Sequence, residues 1–94
     1  MFISSNIEQS AELLKLLGDT TRLKILNLLF SEDRDMCVNE IAYEVGASQS
    51  ATSHQLSKLE ALNIVSCFRD GQKVCYELTD KSIVDSIRNI LKVV

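Results

Sequence analysis

Asn39 to Leu59, NEIAYEVGASQSATSHQLSKL, reads as two short helices joined by a glycine turn. In the first, Ile41, Ala42 and Val45 make the inward face, and Ala42 is small enough to let another helix cross closely. Gly46 falls where a helix C-terminus wants a residue tolerant of positive φ, and Ser48 follows as the N-cap of the second helix. At 100° per residue, Thr52, Leu56 and Leu59 share one stripe of that helix, while Ser50, Ser53, His54 and Ser57 lie roughly opposite. Exposed helix faces are usually filled with Glu, Lys and Arg. Ser and Thr lower helix propensity and compete for local hydrogen bonds, so an outward face made of them needs another advantage. A helix entering the major groove of DNA supplies one, because short polar side chains let the backbone approach the base edges.

Working outward, Asn6 to Leu17 predicts a first helix with Ile7, Ala11, Leu13, Leu14 and Leu17 as a wide apolar face. Gly18 ends it, and Asp19 caps a second helix, Thr20 to Phe30, that is apolar on nearly all sides and so is the central core helix. SEDRD, residues 31–35, is a loop, and Met36 to Val38 a short extended piece. Beyond Asn63 the hydrophobic period changes from helical to alternating: IVSCFR, then Asp70-Gly71, then QKVCYEL. Asp-Gly between alternating runs is a strong hairpin signal. With Asp70 and Gly71 as the loop, Arg69 opposes Gln72, Cys67 opposes Val74 and Val65 opposes Tyr76. Val65, Cys67, Val74 and Tyr76 then form the buried face, with Cys75 outward. Thr79 or Asp80 caps a last helix in which Ile83, Ile87, Ile90, Leu91 and Val94 recur at helical spacing.

The expected fold is mainly α with a β-hairpin wing. The order is helix, helix, short strand, helix, helix, strand, strand, helix: a winged helix-turn-helix in one domain, residues 1–94. A chain of 94 residues buries only about 60–65% of the surface it exposes when unfolded. The apolar terminal helices, about 6–17 and 80–93, are therefore expected to pack on a second copy. No apolar run approaches the roughly 18 residues of a membrane span, and the N-terminus lacks signal-peptide character. A cytoplasmic protein with no membrane partner follows, in which the odd number of cysteines suits reduced thiols better than a disulfide framework. The net charge of −3 is awkward for a DNA binder, since phosphate neutralisation supplies much of the affinity. The charge is unevenly spread: between Ser31 and Ala47, Glu32, Asp33, Asp35, Glu40 and Glu44 face Arg34 alone. From Ser48 to Lys81 acidic and basic residues balance.

The runs GDTTRLKILNLL, MCVNEIAYEVGASQSATSHQLSKLEALNIV and FRDGQKVCYEL, in that order, resemble the ArsR/SmtB family of repressors over roughly Leu13 to Leu78. The resemblance implies a homodimer joined through its first and last helices, with the second helix of the pair in the major groove of double-stranded DNA and the wing on flanking backbone or minor groove. Carried over residue by residue, the DNA contacts fall on Gln49, Ser50, Ser53 and His54, with Arg69, Gln72 and Lys73 in the wing. His54 is the single histidine and has no Cys or carboxylate at i±3 or i±4. DNA contact, plain solvation and metal ligation are its three readings, in falling order.

The resemblance also implies two metal boxes. In the first, two cysteines flank one residue; here Cys37 is present but Asn39 stands where the second thiolate would be. In the second, Asp80 matches one ligand while Ser82 replaces the nearby histidine. Neither set can be completed, so no metal and no cofactor is expected, with Cys37 and Asp80 only weak candidates. Cys37 reads instead as a buried structural thiol, and Cys75, facing out beside Lys73, as the candidate redox thiol. Release by an inducer remains the expected regulation, through thiol chemistry, an unfamiliar metal site or another signal. A winged-helix module that binds protein in place of DNA is the alternative, favoured by the acidic charge. An enzyme is not expected, since no nucleophile is paired with His54 and no phosphate-cradling loop is present.

Overall fold

The computed structural model describes residues 3–93, with side chains from Ile7 to Lys92. Its elements are α1 (Ile3–Leu17), α2 (Thr20–Glu32), β1 (Met36–Cys37), α3 (Val38–Val45), α4 (Gln49–Ala61), β2 (Val65–Asp70), β3 (Lys73–Leu78) and α5 (Ser82–Val93). Local chemistry sets the boundaries. Asp19 accepts from the Arg22 N–H at 3.0 Å and starts α2. The helix runs two residues past the expected stop because Asp33, at φ 54°, donates its N–H to the Leu29 carbonyl. Gly46, at φ 74°, closes α3, and Ser48 opens α4 by accepting from the Ala51 N–H at 3.0 Å. At those φ values the glycine needs no steric compensation, which is why the tight α3–α4 turn forms here.

The core is assembled from one stripe of each helix. Ile25, Leu26 and Leu29 of α2 meet Ile41 of α3, Leu56 and Leu59 of α4, and Val84 and Ile87 of α5, all buried. Thr52 is buried in the same α4 stripe. Ile87 therefore belongs to the core of the single chain, and Val84, which the helical spacing of the isoleucines did not single out, lies beside it. Val94 falls outside the described residues.

The three strands form an antiparallel sheet in the order β1-β3-β2, which places β3 in the centre. Its hairpin register differs from expectation by two residues: Asp70 pairs with Lys73, Arg69 with Val74, Cys67 with Tyr76 and Val65 with Leu78. Gly71 and Gln72 are the turn, with positive φ at Gly71 alone. That is the pattern of a II′ turn, which spares Asp70 the left-handed conformation that a turn on Asp70-Gly71 would have demanded. An even shift keeps each residue on its expected face, but the burial changes. β1, only two residues long, pairs Met36 with Tyr76 and Cys37 with Cys75. The central strand is thus flanked on both edges, and its Cys75 and Tyr76 are buried, while Cys67 on the outer strand β2 is exposed.

Two expectations about sulfur are corrected accordingly. Cys37 and Cys75 are joined in a disulfide across a sequence separation of 38, so a set of three reduced thiols does not describe the chain. Cys75 is fully buried and bonded and is not the accessible thiol; that position belongs to Cys67. The cause is β1, which lays Cys37 opposite Cys75, a pairing between segments too distant for alternation along either strand to reveal.

Candidate nucleic-acid interface

α4 presents Gln49, Ser50 and His54 to solvent and Ser53 partly so, opposite the buried Thr52, Leu56 and Leu59. Ser50 Oγ lies 3.3 Å from the capping hydroxyl of Ser48, so its position is tied to the start of the helix. On the wing, Arg69, Gln72 and Lys73 are exposed. Five of these seven residues line one groove of about 560 Å³ between the recognition helix and the hairpin: Gln49, Ser50 and Ser53 on one wall, Gln72 and Lys73 on the other, with Val38, Asn39 and Val74 between them. His54 and Arg69 stand outside that groove. Sequence periodicity had not placed Asn39 here. It reaches the site because the two-residue β1 runs directly into α3, carrying the α3 N-terminus to the foot of the wing.

A polar bracket fixes α4 from behind. Arg22 Nη1 donates to the Leu16 carbonyl of α1 at 2.8 Å and Arg22 Nε to Gln55 Oε1 of α4 at 3.0 Å, while Gln55 Nε2 reaches Asp19 Oδ2 at 3.4 Å. The Arg22 N–H, more than any other group, holds the Asp19 carboxyl below the usual carboxylate range. Arg22 and Gln55 went unrecognised in the sequence. The Asp19 cap was visible there, but a bond spanning 33 residues leaves no local pattern. At the start of α3, Glu40 Oε1 accepts from the Cys37 N–H at 3.1 Å and Oε2 from Arg34 at 3.1 Å. Those contacts, the Cys37 N–H foremost, hold the Glu40 carboxyl down. Burial pushes the Tyr76 hydroxyl up to about 12, with the Cys67 thiol beside it adding to the shift.

The arrangement offers hydrogen-bonding groups on a convex helix, cations on an adjacent hairpin and a concave space between them. That suits a duplex, whose base edges want bidentate amides and hydroxyls and whose phosphates want Lys and Arg. Metal ligation is poorly served. Cys37 is consumed in the disulfide, Asp80 is exposed, and among the described residues no group of three or more His, Cys, Asp or Glu could hold an ion. No helix among the described residues is long and apolar enough to cross a membrane.

The chain is similar in sequence and fold to known regulatory proteins. The family described as bacterial regulatory protein, arsR family, matches residues 19–66, which hold α2 through α4 and the start of the wing. The cadmium resistance transcriptional regulatory protein CadC of Listeria innocua serovar 6a is 39% identical over 71 residues, covering 76% of this chain and 59% of that protein. An uncharacterized HTH-type transcriptional regulator of Methanocaldococcus jannaschii is 38% identical over 87 residues, covering 93% and 92%. Among solved structures, the AntR antimony-specific transcriptional repressor superposes with a TM-score of 0.80 at 27% identity, covering 99% of this chain and 83% of that one. The chain spans about 59% of the length of the CadC proteins it matches.

Proposed function

Because the chain belongs to the arsR family of bacterial regulatory proteins, and so is a winged helix-turn-helix transcriptional regulator and not an enzyme, we propose that it acts as a homodimeric, sequence-specific repressor. It binds an inverted-repeat operator in the cytoplasm and is released from it by an inducer. Gln49, Ser50, Ser53 and His54 read base edges in the major groove, and Arg69, Gln72 and Lys73 hold the flanking backbone. The observation that carries this reading is the groove lined by Gln49, Ser50 and Ser53 from α4 and by Gln72 and Lys73 from the wing, which brings amides, hydroxyls and a cation around one space.

The test is selection of duplexes from a random-sequence pool, followed by fluorescence anisotropy on the selected duplex and a scrambled one across a range of salt. The selected sequence should be an inverted repeat bound about a thousandfold or more tighter than the scramble, with affinity falling as salt rises. Equal, weak binding of both duplexes would end the reading and favour a protein partner.

A further inference from the structure

The disulfide closes a loop whose content is specific. Between Cys37 and Cys75 lie all of α3, all of α4, β2 and the tip of the wing. Every one of the seven candidate DNA-contacting residues is inside that loop. The bond also sits at the foot of the groove described above: Val38 and Asn39, which directly follow Cys37, and Lys73 and Val74, which directly precede Cys75, all line it. Without the bond, β1 is held to β3 by only two residue pairs, Met36 with Tyr76 and Cys37 with Cys75. Short pairings of this kind open easily. The covalent link therefore adds to the packing of the buried Met36 and Tyr76 in seating the wing against the start of α3, beside the groove.

We infer that Cys37 and Cys75 form a reversible thiol-oxidation site, acted on by peroxides and by dithiol reductants, whose bonded state holds the wing and the recognition helix in the arrangement that grips DNA. This rests on the DNA-binding reading above. Oxidation is balanced without a further reactant. One cysteine thiolate attacks a peroxide oxygen and expels hydroxide, leaving a sulfenic acid; the second thiol then attacks that sulfur, and water leaves as the S–S bond forms. In the reverse direction a dithiol's thiolate attacks one sulfur and its second thiol completes the exchange, so the reductant becomes a disulfide and both cysteines become thiols. Both cysteines are buried, but Cys37, at 9% exposed, is the less enclosed of the two and so the sulfur that is attacked, with the fully buried Cys75 as the leaving thiolate. Cys67 takes no part, because it stands on β2 paired with Tyr76, on the face opposite the disulfide. Reduction raises the ordering that DNA binding must impose on the wing, and the reduced protein binds more weakly as a result.

The experiment uses the full chain and a labelled duplex recovered by selection on this protein, at one fixed salt concentration. Affinity is measured after dithiothreitol, then after hydrogen peroxide, with a non-reducing digest at each step. The digest should join the Cys37 and Cys75 peptides after peroxide and separate them after dithiothreitol. The reduced protein should bind about three- to tenfold more weakly, reversibly. Cys67→Ser should keep the response, and Cys75→Val should bind at the reduced level whatever the treatment. The wild-type comparison stands even if Cys75→Val does not fold. A bond confirmed in the digest with affinity equal or higher in the reduced state overturns the inference and leaves the DNA-binding reading intact. Failure of peroxide to join the two peptides also overturns it, and absence of selective binding in both states overturns both.

Discussion

At the scale of single residues, the proposed interface divides between groups that would read bases and groups that would hold phosphates. Gln49 carries an amide able to meet a base edge with both its donor and its acceptor, and it lines the groove from the helix side. Gln49→Ala should therefore cost about 1–3 kcal/mol on a selected operator and much less on scrambled DNA. Lys73 lines the opposite wall as a point charge. Lys73→Ala should weaken both duplexes alike and flatten the dependence of log affinity on log salt by about one unit. Equal losses on the two duplexes for Gln49→Ala would show that α4 does not read sequence. Behind the same helix, Thr52 is fully buried and its hydroxyl has no hydrogen-bond partner among the described residues. Val has nearly the same shape without the orphaned group, so Thr52→Val should raise stability by about 1 kcal/mol in urea denaturation while leaving the reading face untouched.

At the scale of elements, what could be read from the chain followed the range of the interaction that fixed it. Asp19, Gly46 and Ser48 were legible because a cap joins residues three or four apart, and the α4 stripe of Thr52, Leu56 and Leu59 because a helix repeats every turn. The wing was legible in type but not in register, since both turns put Gly71 at positive φ and differ in whether Asp70 joins it. The β1–β3 pairing, the disulfide it makes and the Arg22–Gln55 bond were not legible, because each joins segments more than 30 residues apart. That same unforeseen junction yields a pH prediction. The Glu40 carboxyl is lowered from the ordinary 4.5, first by the Cys37 N–H and then by Arg34. A carboxyl lowered on folding contributes stability that is fully present above its unfolded value and is lost as pH falls through its folded one. Thermal midpoints of the wild type should therefore drop more steeply below pH 4.5 than those of Glu40→Gln, and parallel curves would show that the contact at the start of α3 contributes nothing.

At the scale of the whole molecule, the single chain leaves apolar surface that its own core does not cover. Ile7 and Leu14 on α1 are 57% and 63% exposed, and Leu62, just after α4, is 50% exposed. Between them Leu13, Leu16, Leu62 and Ile83 line an open groove where α1 and α5 come together. A symmetric partner docked here would bury these side chains at about 1.5–3 kcal/mol each and would hold two recognition helices at a fixed separation, the geometry that an inverted repeat requires. The residue that probes this surface must be one the monomer does not need. Ile87 fails that condition, because it is fully buried within one chain, so Ile87→Asp should unfold the protein and say nothing about assembly. Leu14 meets it. Leu14→Asp should keep the helical circular dichroism of the wild type yet sediment as a monomer, and its binding to a two-half-site duplex should fall toward that of a single half-site. A Leu14→Asp protein that sediments as a dimer and binds the two-half-site duplex undiminished would remove α1 from the interface and require the two copies to meet elsewhere.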